Sequence, residues 1–433
     1  MTPMAITGIR IAIQARTATQ LAAWLRYVLA FATVLFLWMP PSVFELVGWS
    51  YLGGGPEYEK IHIATYLLVA ATLALFVIDA HFRGNVLYLC LTDWRLIFFA
   101  FAVAATAAYA IFFKQLSIAP FIDTFLAALV VVVVWICLPY DNLRQLRTLF
   151  DVFFIVNIAL LFFEYAAKIL VIGNVTPDSY EFGQFRGRAF FEGQLSAATM
   201  LGVYCIANLV STPIRLSRES VFRIALVLAS FVAIFTTGGR TAMVVTALVI
   251  LLYIAISFVS QLSSGRFNKA VLVYGVVGTP VFVAGIFTLL YLGFFDTMIS
   301  RFEYDIGSAS TRQIALDLIA DLPPMELWFG MSRVDLIALV QRQEQLNLLA
   351  IEISWVNFIL ACGLALTIPL FVAYVIFLFS FIPYYASSWA VLPSLFLLIV
   401  TAASNGIWAK TTVLSASLAI ILAFLRRPAE EDA

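Results

Sequence analysis

Apolar runs of about twenty residues recur along nearly the whole chain, with only short polar intervals between most of them. A helix of about that length crosses the hydrocarbon core of a bilayer, where only helices and closed barrels satisfy every backbone hydrogen bond. Charged residues make up 12% of the 433 residues, roughly half of the share found in soluble domains. The sequence therefore predicts an all-α polytopic membrane protein that forms a single transmembrane domain over residues 1–433.

The apolar runs predict about twelve transmembrane helices. They lie near residues 27–47, 62–80, 96–113, 119–137, 149–171, 194–210, 222–237, 241–259, 270–295, 350–381, 389–403 and 407–425. A large, partly helical loop over 298–347 separates the ninth helix from the tenth. The tenth run is too long for one simple span, and we expect Gly363 and Pro369 to break it. The first five spans carry almost no chemical information beyond acceptable lipid exposure, and either shaping the lipid entry path or docking a chain-length regulator is the role open to them.

The basic residues indicate the orientation of the bundle. More than half of them lie near the two termini or in the intervals 83–95, 141–147, 214–223 and 264–269. Because cytoplasmic loops are enriched in Lys and Arg, this set predicts that both termini are cytoplasmic. Seven arginines remain in three segments on the opposite, external face, where orientation rules disfavour them. Only two histidines and four unpaired cysteines occur, which argues against a histidine-rich metal site or a disulfide framework.

Arg240 lies in the hairpin Phe-Thr-Thr-Gly-Gly-Arg-Thr-Ala-Met, residues 235–243, between two strongly apolar helices. The nearest acidic residue, Glu219, is predicted on the opposite face, so no local ion pair is expected. An arginine at the hydrocarbon boundary is costly unless it meets a partner. Its guanidinium group suits a phosphate or pyrophosphate, and the two glycines permit close approach of the backbone. The alternative is an arginine that snorkels to lipid headgroups.

Three other segments supply charged residues to the same predicted face. Residues 184–196 carry Arg186, Arg188 and Glu192 directly before a helix. In the large loop, serines and threonines before Arg312 predict a helix N-terminus, which favours anions. Glu352 opens the tenth apolar run and suits a general base. Salt bridges within an ordered loop, or at a helix end for Glu352, are the alternative explanation of these charges.

These motifs resemble those of the O-antigen polymerase and O-antigen ligase superfamily. The likeness covers residues 185 to 363. Residues 186–193, Arg-Gly-Arg-Ala-Phe-Phe-Glu-Gly, resemble an arginine-to-Glu-Pro-Ser segment, with Gly193 where proline is usual. Residues 237–242 are similar to a Ser-Arg-Gly/Thr-Ala hairpin, with glycine for serine, and 310–330 are similar to the arginine and Pro-Leu-x-Gly-x-Gly pattern of the periplasmic loop. Many polymerases carry a glutamate at the position of Glu352.

The resemblance implies a polymerase of the bacterial inner membrane with a periplasmic active site. It implies donor and acceptor glycans linked to undecaprenyl pyrophosphate, no metal or other cofactor, and no nucleic-acid partner. A flippase and a chain-length regulator are the expected protein partners. Arg240 and Arg312 would stabilise the leaving pyrophosphate, and Glu352, or as the less favoured choice Glu192, would act as the base. The substrate-binding set would comprise Arg186, Arg188, Glu192 and Arg301.

Three alternatives to a polymerase stay open. A glycan ligase would be expected to carry histidine at the position of Glu352, and no histidine follows His81. A lipid-linked glycan transporter would use buried charges or broken helices near the midplane. A purely structural assembly protein would leave the position of Arg240 unexplained.

Overall fold

The computed structural model is helical over most of the residues that it describes. These are 3–46, 48–51, 55–172, 180–181, 184–212, 215, 217–264, 269, 284–285, 287–288, 290–291, 308–332, 334–339, 353–380, 382–384, 388–404 and 410–426. The first ten elements are α1 (Pro3–Trp38), α2 (Pro41–Leu46), α3 (Ile63–Ile78), α4 (Ala80–Thr92), α5 (Trp94–Phe112), a π-helical turn (Phe121–Leu126) continued by α6 (Ala127–Cys137), α7 (Tyr140–Ala167) and a two-residue antiparallel pair, β1 (Tyr180–Glu181) and β2 (Gln184–Phe185). The others are α8 (Gln194–Ser211), α9 (Arg218–Thr237), α10 (Arg240–Ser264), α11 (Ser308–Ala320), α12 (Pro324–Phe329), α13 (Ser354–Cys362), α14 (Leu364–Phe379), two short 3₁₀ turns (Ile382–Tyr384 and Ser388–Ala390), α15 (Val391–Ala403) and α16 (Val413–Leu425).

Several of the helices are long and apolar enough to cross a bilayer. In the described part of the chain six helices meet this requirement, or seven if the bent pair α3 and α4 forms one span. Four shorter apolar segments, the π turn with α6, α14, α15 and α16, accompany them. The chain is thus a polytopic helical membrane protein, and twelve spans stay a prediction. The predicted ninth span, 270–295, falls mostly outside the described residues, as do the two ends of the loop 298–347 (298–307 and 340–347) and the start of the tenth run.

The polar interval 83–95, predicted as a simple connection, is mostly the helix α4. Asp79 ends α3 and begins α4, because its carboxylate accepts hydrogen bonds from the backbone N–H groups of His81 (3.0 Å) and Phe82 (3.1 Å). Arg26 of α1 holds the same carboxylate at 2.7 Å. The chain bends by 109° at this residue. A helix-capping residue therefore turns the chain where hydropathy alone indicated only the end of a span.

The predicted break in the tenth run is confirmed at Gly363, which separates α13 from α14. Gly363 has φ +72°, a conformation that side chains with a Cβ rarely adopt. A Cβ at this position would also overlap the carbonyl group of Trp328 at the end of α12. Pro369 lies inside α14 without ending it. The glycine thus both breaks the helix and lets the loop helix α12 pack against the break.

The centre of the bundle is α16, in which every residue from Val413 to Leu425 is buried. It packs against α1, α6, α7 and α8. A helix that is apolar on all sides is accommodated only when other helices surround it. Because α16 is central, the described residues directly before it, 410–412, lie near the middle of one end of the bundle.

Candidate functional site

Glu164, near the end of α7, folds the segment 186–193 into a compact turn. Its carboxylate is fully buried and accepts hydrogen bonds from the backbone N–H groups of Val171, Arg188 and Ala189, each at 2.8 Å. Asn157, two turns earlier, accepts the N–H of Phe190 at 3.0 Å. A carboxylate can be buried when its oxygens accept several hydrogen bonds. These contacts therefore give Glu164 a structural role.

The same segment is bound to the hairpin that carries Arg240. The Gly187 N–H donates to the Thr236 carbonyl at 2.9 Å, and the Arg186 Nε donates to the Thr237 carbonyl at 3.0 Å. Gly238 ends α9 with φ +72°, and Arg240 is the first residue of α10. The structure therefore brings Arg186 and the Arg240 hairpin together.

Gly239 explains why this hairpin requires a second glycine. A Cβ at Gly239 would overlap the Cβ of Ala198, one turn inside α8. Since α8 begins two residues after Glu192, the hairpin lies against the helix start that Glu192 precedes. The glycine thus allows the close approach of backbone that the sequence pattern indicated, although the partner is α8.

Glu192 lies in the wall of a cavity of about 230 Å³. Its carboxylate accepts hydrogen bonds from the Thr411 hydroxyl (2.8 Å) and from the Thr412 N–H (3.3 Å). The cavity is lined by Glu192, Gly193, Leu195, Ser196, Thr199, Thr401, Ser404, Lys410, Thr411 and Val413. It therefore combines one carboxyl group, one ammonium group and several hydroxyl groups.

The pKa of Glu192 is raised from 4.5 to about 7. Burial is the largest cause, because it disfavours the charged form, and the negative charge of Asp123 adds to it. The hydrogen bonds from Thr411 and Thr412 and the charge of Lys410 act in the opposite direction. A carboxyl group with this pKa can both accept and release a proton near neutral pH.

Lys410 lies near enough to Glu192 and to the buried Asp123 for both charges to act on it. Its ammonium group donates to the Tyr51 carbonyl and lies 3.5 Å from the centre of the Tyr51 ring. Burial lowers the pKa of Lys410, although the charges of Asp123 and Glu192 oppose this effect. The cation is thus placed where two carboxylates act on it.

Asp123, in the π-helical turn, is fully buried. It accepts hydrogen bonds from the His62 backbone N–H (2.9 Å), the Thr65 hydroxyl (2.8 Å) and the Tyr51 hydroxyl (3.4 Å). Sequence reasoning missed this group, since the first five spans were expected to carry no chemistry. A lone acidic residue in an apolar run was the available signal, and so was the lone Lys410. We call Tyr51, His62, Asp123, Glu192, Lys410 and Thr411 the Glu192 cluster.

The structure describes only some of the site residues that were predicted in or next to the large loop. Arg312 lies on α11, which begins at Ser308 as the predicted helix start requires, but its side chain is outside the described residues. Arg301 and Glu352 lie outside the described residues altogether. Arg188 is described, and its guanidinium group donates to the Ile172 carbonyl at 3.0 Å.

Packing nevertheless relates the loop helix α11 to the cavity. Ala315 of α11 forms a small apolar cluster with Val356 and Leu360 of α13. Ser354, which begins α13, donates from its hydroxyl to the Ser404 carbonyl at 2.7 Å, and Ser404 lines the cavity. The helix that carries Arg312 therefore packs on α13, and α13 is bonded to the cavity wall.

Lys114, which follows α5, binds the end of the loop helix α12. Its ammonium group donates to the carbonyl groups of Gly330 (3.0 Å) and Met331 (2.8 Å), and the Tyr109 hydroxyl donates to the Phe329 carbonyl at 2.7 Å. A cation at the C-terminal end of a helix is a favourable partner for its last carbonyl groups. Lys114 is thereby explained as an anchor of α12.

Within the ranges that the structure describes, no three His, Cys, Asp or Glu side chains form a metal-ligand set. The prediction of a reaction without a metal stays untested by this observation.

Fold and site together define a polytopic helical membrane protein with a charged cavity at one end of its bundle. Comparison of the chain with protein-family models, curated proteins and solved structures finds no match.

Proposed function

We propose that this protein is a polymerase that joins oligosaccharide repeat units carried on undecaprenyl pyrophosphate into a bacterial surface polysaccharide. The product would be an O-antigen, a capsule or an exopolysaccharide. The observation that carries the proposal is the convergence of the Arg186 segment, the Arg240 hairpin and Glu192 at one end of the helical bundle, beside a cavity that contains a carboxyl group of pKa about 7.

The arginine segments would bind the diphosphate of the donor. Arg240 and Arg186 are linked through the Thr237 carbonyl and backbone of one hairpin. Guanidinium groups bind phosphate oxygens through paired hydrogen bonds, and preorganised positive charge stabilises the charge that develops on a leaving group. Arg312 would join them from α11. The glycosyl transfer breaks the bond between the anomeric carbon and the pyrophosphate oxygen, and the pyrophosphate leaves with the electron pair.

Glu192 is the described residue best suited to act as the base. It would accept the proton of the acceptor hydroxyl as that oxygen attacks the anomeric carbon from the opposite side, which inverts the configuration. Its raised pKa matches the task, since a base works best near the ambient pH. Glu352 is the second candidate, because Ser354, two residues later, is bonded to the cavity wall.

In this proposal the Glu192 end of the bundle faces the periplasm and both termini are cytoplasmic. The lipid tails of donor and acceptor would lie in the inner membrane among the helices, with their diphosphates at its outer boundary. A flippase would supply the lipid-linked units on this face, and a chain-length regulator would act on the product.

Single substitutions in a polymer-producing strain test the proposal. Arg240→Ala and Glu192→Gln should abolish long polymer while single repeat units are still exported and the protein is still inserted at its normal level. Arg144→Ala is the matched control, because Arg144 is exposed at the opposite end of α7. Normal polymer length in both Arg240→Ala and Glu192→Gln would refute the proposal. If Arg240→Ala and Glu352→Gln abolish polymer and Glu192→Gln does not, the base is Glu352.

A lipid-linked glycan transporter is the second candidate, favoured by one observation. Asp123 is buried inside a π-helical turn of an apolar segment, near the cation Lys410. Buried ionisable groups in broken helices are typical of transport sites. Loss of a transporter would trap lipid-linked units on the cytoplasmic face, whereas loss of a polymerase leaves them accessible outside. Labelling of the units with a membrane-impermeant lectin distinguishes the two.

A further inference from the structure

A pair of arginines lies at the end of the bundle opposite the Glu192 cluster. Arg147 of α7 and Arg223 of α9 both pack on the ring of Phe424 in α16, with guanidinium carbons 4.7 Å and 5.8 Å from the ring centre. The two helices pack against each other, and the two positive charges are near enough to repel. Two neighbouring guanidinium groups favour an anion that accepts hydrogen bonds from both.

The carboxylate of Asp151 is hydrogen-bonded to only one of the two arginines, Arg223, although its charge also acts on Arg147. Its Oδ1 accepts hydrogen bonds from Arg223 (2.6 Å) and from the Tyr204 hydroxyl (2.8 Å). Arg223 also donates to the Asn208 side chain at 3.1 Å. Arg223 is thus held in place by residues of α7 and α8.

Among the residues that the structure describes, none holds Arg147 by such a hydrogen bond. In the described part of the chain, no hydrogen bond from its guanidinium group is present, and its Nε is buried without an acceptor. Among the described residues, the Nε of Arg223 is likewise buried without a hydrogen-bond acceptor. Glu219, in the first turn of α9, is exposed and acts on Arg147 only weakly. Buried donors without acceptors are uncommon, and each one suggests a group that is absent from the chain itself.

We propose that Arg147 and Arg223 bind the phosphate group of an anionic membrane lipid in the seam between α7 and α9. A phosphate offers the acceptor oxygens and the negative charge that the pair lacks. The occupant is a lipid because the same helices expose apolar side chains further into the bundle, at Val152 (53% exposed) and Leu228 (37%). A headgroup at the arginines would lie at one end of these helices, and its acyl chains would follow their exposed apolar surface. Basic pockets between transmembrane helices bind lipid headgroups in this way.

Lipid retention by the purified full-length protein tests this site. The protein is mixed with phosphatidylglycerol or phosphatidylcholine in detergent, and bound lipid is counted by native mass spectrometry. Wild-type protein should retain phosphatidylglycerol about tenfold more strongly, and Arg147→Gln should lose about that factor, since one charge-assisted hydrogen-bonding group is removed. Arg144→Gln, which removes the same charge from an exposed position on the same helix, should change retention less than twofold.

Two further measurements keep the test decisive. Arg147→Lys keeps the positive charge but lacks the planar guanidinium group, so its affinity for the lipid should be intermediate. This variant also provides a second test in case Arg147→Gln does not fold. Equal loss in Arg147→Gln and Arg144→Gln would overturn the site. Displacement of the lipid by inorganic phosphate at equal concentration would overturn the assignment to a lipid. The test does not depend on the proposed polymerase activity.

Discussion

The rate of polymerisation should follow the ionisation of Glu192. With a pKa of about 7, roughly one Glu192 side chain in ten is deprotonated at pH 6, half at pH 7 and about nine in ten at pH 8. Only the deprotonated form can accept a proton, so the rate should rise about tenfold between pH 6 and pH 8. A glutamate with the ordinary pKa of 4.5 would leave the rate nearly constant over this range.

Substitutions of two neighbours of Glu192 should shift the pH–rate profile in opposite directions. Thr411→Val removes the 2.8 Å hydrogen bond to the carboxylate. A hydrogen bond to a charged group contributes about 1.5–3 kcal/mol, so the pKa should rise by roughly one to two units and the profile should move to higher pH. Asp123→Asn removes a negative charge that disfavours ionisation of Glu192, and it should move the profile to lower pH.

The assay is the initial rate of polymer formation by purified protein in proteoliposomes with lipid-linked repeat units, measured between pH 5.5 and 8.5. Glu192→Gln should lower the rate at pH 8 by about a hundredfold or more, the usual contribution of a base. Glu219→Gln, exposed at the opposite end, is the control and should retain the wild-type profile. A Glu192→Gln protein with the wild-type profile, or a shift in the same direction for Thr411→Val and Asp123→Asn, would refute the reasoning.

Three predictions concern stability. Because the pKa of Glu192 is higher in the folded protein than in the unfolded chain, the folded form binds more protons between pH 4.5 and about 7, so the melting temperature should fall as pH rises through this window; Glu192→Gln should flatten that slope, and an unchanged slope would contradict the assignment. Gly363→Ala should destabilise the protein by about 2 kcal/mol or more, since φ +72° alone costs an L-residue about 1–2 kcal/mol and the new Cβ would overlap the Trp328 carbonyl; thermal unfolding followed by intrinsic fluorescence measures this, and an unchanged melting temperature would count against the packing of α12 on Gly363. Glu164→Ala should cost about 3 kcal/mol or more because three backbone N–H groups, that of Ala189 fully buried, lose a charged acceptor, and limited proteolysis should then cut the segment 186–193 first; resistance of that segment would argue against its anchoring by Glu164.

The sequence predicted the parts of the fold that depend on local properties. Long apolar helices such as α5, α8 and α9 were expected within a few residues of their bounds, because a bilayer requires a certain length of apolar helix. The break at Gly363 was expected because glycine is unfavourable inside a helix. In contrast, α4 was missed, since Asp79 ends α3 and caps the start of α4 with its side chain, a feature that a hydropathy pattern does not indicate.

The sequence also identified Arg186, Arg240 and Glu192 as candidate site residues, because charged residues at the ends of apolar runs are energetically costly unless they have a partner. It could not show that Arg186 is bonded to the Arg240 hairpin, nor that Arg188 donates to the Ile172 carbonyl. Such pairings depend on which helix ends meet.

By itself, the sequence determined the class of this protein, since membrane insertion is a sum of local hydropathies along the chain. The cavity was decided by the tertiary structure alone. Asp123, Glu192 and Lys410 are far apart in the chain and come together only because the helices around α16 pack side by side. The pKa of a carboxyl group depends on its burial and on the charges around it in space, so no local pattern could have indicated that Glu192 titrates near neutral pH.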